Sequence, residues 1–62
     1  MTTFEILYKM PTFKLVAGRF LAHTLVTVRL HDNRVITLLI PLPEHLVDAK
    51  VVEKELRERK LI

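Results

Sequence analysis

The chain has 62 residues, a formal charge of +3, half of its residues hydrophobic and no cysteine. That length is one domain near the lower limit for a chain without disulfides or metals, and the missing thiols exclude a disulfide framework and any thiolate metal site. Such an apolar excess in so short a chain is usually buried against a neighbour, so a homo-oligomer or a subunit of a larger assembly is expected.

The start, Met1-Thr2-Thr3-Phe4-Glu5, lacks the basic and apolar regions of a signal peptide. The longest mainly apolar run, Val35 to Pro43, is far below the roughly 20 residues that cross a bilayer. A soluble, cytoplasmic protein with no membrane partner is therefore expected. Serine, glutamine and tryptophan are also absent and Asn33 is the one amide side chain, a depletion of the kind seen in proteins of thermophilic hosts and their viruses.

Thr3 to Lys9 alternates Phe4, Ile6 and Tyr8 against Thr3, Glu5 and Lys9, with Leu7 on the polar side, which predicts a strand. Met10-Pro11-Thr12 is expected to end it, since proline cannot continue a central ladder. Phe13 to Leu25 fits two periods. Alternation at Phe13, Leu15 and Ala17 suits a strand, whereas Phe13, Val16, Ala17, Phe20, Leu21, Thr24, Leu25 and Val28 fall on one face of a helix. Gly18 and the weak helix formers around it favour the strand, with Gly18-Arg19 as a bend or bulge. On either period these apolar residues are expected to face inward.

Leu25 to Leu30 and Val35 to Ile40 are β-branched runs flanking His31-Asp32-Asn33-Arg34, a hairpin signal. A three-residue loop of His31, Asp32 and Asn33, with Asn33 left-handed, pairs Leu30 with Arg34, Val28 with Ile36 and Val26 with Leu38. One face is then strongly apolar. The other carries His23, Leu25, Thr27 and Arg29 against Val35, Thr37 and Leu39, and with Leu7 and Val16 joining it is the candidate contact surface, unless it packs the C-terminal helix. Pro43, or Asp48 as an N-cap, opens that helix, with Leu46, Ala49, Val52 and Leu56 as its buried stripe. Glu53 with Arg57 and Glu55 with Arg59 are spaced as i,i+4 pairs. The fold class that follows is α+β, a small antiparallel sheet of three to four strands with a C-terminal α-helix, or alternatively the order β-α-β-β-α.

Chemistry is sparse. Without serine or cysteine the nucleophiles reduce to threonine and lysine, neither with an activating arrangement, and one glycine rules out the glycine-rich phosphate cradles. On a straight strand His23 and His31 would stand about 26 Å apart, too far to share an ion; His31 reads as a turn residue and His45 as a first-turn helix residue. No enzymatic activity, cofactor, metal or small-molecule substrate is expected. The charge excess lies before Val35, where Lys9, Lys14, Arg19, Arg29 and Arg34 outnumber Glu5 and Asp32; these cations with His31 could line one edge of the sheet and bind nucleic acid. Sheet-based readers also expose aromatics for base stacking, but Phe4, Tyr8, Phe13 and Phe20 read as core. The preferred reading is a non-enzymatic interaction, regulatory or assembly protein acting as a homo-oligomer, with nucleic-acid binding as the alternative.

Overall fold

The computed structural model describes residues 4–62, so Thr3, the first residue of the expected N-terminal strand, lies outside it. Three strands, β1 (Phe4–Val16), β2 (Arg19–Leu30) and β3 (Val35–Ile40), form an antiparallel sheet in the order β1-β2-β3, followed by a 3-10 turn at Glu44–Leu46 and a helix, α1 (Ala49–Glu58). The α+β class is as expected. Residues 13–25 are strand and turn, which removes the β-α-β-β-α alternative.

Pro11 does not end the first strand, and the hydrogen-bond phase of the ladder explains why. Leu30 N–H donates to Arg34 O at 2.8 Å. By alternation the even residues of β2 turn their backbone groups toward β3 and the odd ones toward β1. Pro11 lies opposite Thr24. Its nitrogen therefore points to the outer edge of β1, where a missing N–H breaks no bond. A second irregularity shifts the faces. Ile6 pairs with Val28 but Tyr8 with Thr27, so Leu7 is an extra, bulged residue and Tyr8 passes to the face opposite Phe4 and Ile6.

Ala17 and Gly18 close β1 onto β2 in a two-residue turn, with Val16 opposite Arg19 and positive φ at both turn residues, 50° and 76°. That is the mirror-image turn whose twist matches the flanking strands, one residue earlier than the expected bend at Gly18-Arg19. Between β2 and β3 the expected three-residue loop is present. Asn33 is left-handed at φ 69°, its N–H donates to Leu30 O at 2.9 Å, and Val26, Val28 and Arg29 lie opposite Leu38, Ile36 and Val35.

Pro43 precedes the 3-10 turn, whereas Asp48 opens α1, its Oδ1 accepting the Val51 N–H at 3.0 Å. Lys60, at φ 59°, ends the helix, where Leu61 N–H donates to Leu56 O and Lys60 N–H to Arg57 O. These two bonds satisfy carbonyls the last turn leaves free. The later start changes the buried stripe. Val47, just ahead of the Asp48 cap, is buried with Val52 and Leu56, whereas Leu46 is 50% exposed in the 3-10 turn and Ala49, the first helical residue, lies at the surface.

The helix packs on one side of the sheet, the helix face, where Val26, Val28, Leu30, Leu38 and Ile40 meet Val47, Val52 and Leu56. Lys9 Nζ closes its rim by donating to Val47 O at 2.9 Å, and Thr24 Oγ1 donates to Leu42 O at 2.8 Å. The opposite, open face has no covering element among the described residues. β3 stops at Ile40 opposite Thr24. Thr12–Val16 and Arg19–His23 thus run on as a two-stranded arm, and the molecule measures 40 × 20 × 18 Å.

Candidate interaction surface

Alternation along the arm keeps Phe13, Leu15, Phe20 and Ala22 in phase with Thr24 and Val26, the helix face. The helix does not reach them. Phe13 is 71% exposed, Phe20 74% and Leu15 61%, and Val16 and Leu21 are also exposed on the arm's other face. The inward placement expected for Phe13, Leu15, Val16, Phe20 and Leu21 is thereby corrected: Phe13, Leu15 and Phe20 have the phase of the helix face but no core extends that far, and Val16 and Leu21 lie on the open face. Tyr8, moved by the Leu7 bulge, is also exposed, so of the four aromatic residues read as core only Phe4 packs against it.

The candidate contact residues divide into a cluster and two outliers. Leu25 and Leu39 face each other across β2 and β3, Val35 lies further along the same open face, and Thr27 and Thr37 join their hydroxyls at 3.2 Å between them. Val35 is 58% and Leu39 38% exposed. Leu7, in the bulge beside Thr27, borders this group and is exposed, while Val16 lies apart at the arm's turn.

The basic candidates do not collect on one edge. Lys14 lies opposite Leu21 and Arg19 opposite Val16, so these two are diagonal neighbours near the arm tip, with no acidic partner among the described residues. Arg29, ten positions along β2 and so about 33 Å away, is paired with Glu5 at 2.9 Å. Arg34 is held by Asp32 at 2.7 Å, His31 sits in that same loop, and Lys9 is tied to the helix side. Asp32 accepts the Arg34 backbone N–H at 3.1 Å. That bond, aided by the Arg34 guanidinium and His31, holds its carboxyl below the usual carboxylate value.

Nδ1 of His23 stands 3.1 Å from Leu21 O, His31 and His45 are exposed, and no group of three histidine or acidic side chains among the described residues could hold a metal ion. A shallow cleft between Ile6, His31 and Ala49 offers only the Glu5–Arg29 ion pair as charged chemistry. No helix among the described residues is long and apolar enough to cross a membrane. Compared with protein-family models, with curated proteins and with solved structures, the chain matches none.

Proposed function

We propose that this chain is a non-enzymatic assembly subunit that works as a homo-oligomer, burying between copies the apolar surface that a single copy leaves wet. The observation that carries this reading is the arm: Phe13, Leu15 and Phe20 stand together, each more than half exposed, in phase with a core that stops short of them. On that one face the three side chains present on the order of 400 Å² of apolar area, within the range of the largest patch a monomer ordinarily shows, and Val16 and Leu21 expose more on the arm's other face. The open face adds Val35, Leu39 and Leu25. Sedimentation equilibrium from micromolar to sub-millimolar concentration tests the reading. Reversible association of a folded chain is expected, and a monomer throughout that range refutes it.

One observation supports nucleic-acid binding as a second reading: Lys14 and Arg19 lie together, without acidic partners among the described residues, on one face of an arm whose other face exposes two phenylalanines. Cations close to exposed rings are the elements that bind a phosphate backbone and stack bases. Under this reading binding to single-stranded oligonucleotides falls with salt, and Lys14→Ala or Arg19→Ala lowers the salt slope by about one phosphate contact each. Binding indifferent to salt excludes it.

A further inference from the structure

We infer that two copies join through β3, edge to edge and antiparallel, making one six-stranded sheet with Thr37 on the two-fold axis; this rests on the homo-oligomer reading and specifies its geometry. The two edges of the sheet differ sharply. β1, the first edge, carries proline, lysines and a bulge: Pro11 removes an outward N–H, Lys9 and Lys14 bring charge, and Leu7 breaks the regular spacing. Those are the devices by which edge strands refuse a further partner. β3, the second edge, is Val35-Ile36-Thr37-Leu38-Leu39-Ile40, with no charge, no proline, no glycine and no bulge.

The backbone phase fixes what that edge offers. Since Leu30, Val28 and Val26 turn their backbone groups toward β3, their partners Arg34, Ile36 and Leu38 turn back toward β2. Val35, Thr37 and Leu39 therefore point N–H and C=O outward, and no described group bonds them. With Thr37 opposite Thr37 of a second copy, Val35 stands opposite Leu39 and Leu39 opposite Val35. All three outward residues are then used, giving six main-chain hydrogen bonds in a closed, self-complementary contact.

Side chains agree on both faces. On the open face Val35 meets Leu39 of the second copy, uniting the two Leu25, Val35 and Leu39 clusters around the pair of Thr37 side chains. On the helix face Ile36, only part-buried in one copy, meets Leu38, so the core continues across the axis. β3 brings no charge to repel its own copy. The arms belong to β1 and β2 and begin past Thr24, the residue opposite the Ile40 end of β3, so neither lies along the outer edge of β3.

A cysteine-free chain makes the test direct. In Thr37→Cys any disulfide links two copies, and opposed residues of a hydrogen-bonded antiparallel pair lie about 5.5 Å apart, within disulfide reach. Mild oxidation is expected to convert it to covalent dimer, whereas Lys54→Cys, on the exposed side of α1, stays unlinked. Leu39→Pro removes an outward N–H without touching the bond to β2, and is expected to weaken the dimer at least tenfold by sedimentation. Thr37→Lys, which sets two ammonium groups against each other on the axis, checks that result in a second variant if Leu39→Pro fails to fold. A wild-type chain that stays monomeric overturns both the assembly reading and this joint. Association that survives Thr37→Lys, with Thr37→Cys no more readily linked than Lys54→Cys, overturns the β3 joint alone.

Discussion

Truncating one leucine of the helix region separates the observed start of α1 from a start at Pro43. Leu56 is fully buried against the sheet, and Leu46 is 50% exposed in the 3-10 turn before the Asp48 cap. Leu56→Ala removes buried carbon and leaves a cavity lined by Val52 and its sheet partners, at a cost of about 2–5 kcal/mol. Leu46→Ala removes a side chain already half in water and is expected to cost about 1 kcal/mol or less. A chain this size has a total stability of roughly 3–9 kcal/mol, so the first change removes a large part of it and the second does not. With a urea m-value of about 1 kcal/mol/M, the midpoint drops by about 2 M or more for Leu56→Ala and by about 1 M or less for Leu46→Ala. Because association adds to apparent stability, all variants are compared at one protein concentration. Equal shifts, or a larger one at Leu46, refute a helix whose inner stripe starts after Asp48.

Three other substitutions or titrations follow from local geometry. Ala17 holds a positive φ beside Gly18, so Ala17→Asn, better suited to that turn, is expected to stabilise by about 0.5–1 kcal/mol in the same melts; destabilisation counts against the mirror-image turn. Asp48→Ala removes the acceptor of the Val51 N–H and is expected to cost about 1 kcal/mol, with amide exchange quickening first in the opening turn of α1. The Asp32 carboxyl titrates below its usual value, so its contribution to the loop is complete above the ordinary carboxylate pKa and is lost as pH falls through the lowered folded value. Carbon-detected titration of that carboxyl checks the sign; a midpoint at or above 3.8 contradicts it.

Local chemistry accounts for the parts of the fold that were legible in the sequence. The His31 to Asn33 loop favoured one register, because Asn33 is the best placed of its residues to take a left-handed conformation, and Val26, Val28, Leu38 and Ile40 then share a face. Asp48 was readable as a cap from its position ahead of an amphipathic run. Pro11 misled because a proline argues against a central strand and not against an edge, and which strand is an edge is settled only by the complete sheet order.

Burial was less readable than phase, and for a physical reason that bears on function. Alternation tells which side of a sheet a residue occupies but not whether anything lies over it, so Phe13 and Phe20 have the pattern of core residues without a core above them. The bulge at Leu7 acts oppositely: it changes the side itself and turns Tyr8 out, with no glycine or proline beside it to signal the change. Both effects leave apolar side chains exposed on an arm and on an open face. Burying a phenylalanine is worth about 1.5–3 kcal/mol, so two of them at the arm represent a free-energy gain comparable with the stability of the single chain, realised only when another surface meets them. Pairing at β3, an edge with no charge, proline or bulge, gains main-chain bonds and joins the Leu25, Val35 and Leu39 clusters, and leaves the arm's apolar surface for a further contact. Apolar surface favours association without direction, and the unguarded strand gives it one geometry.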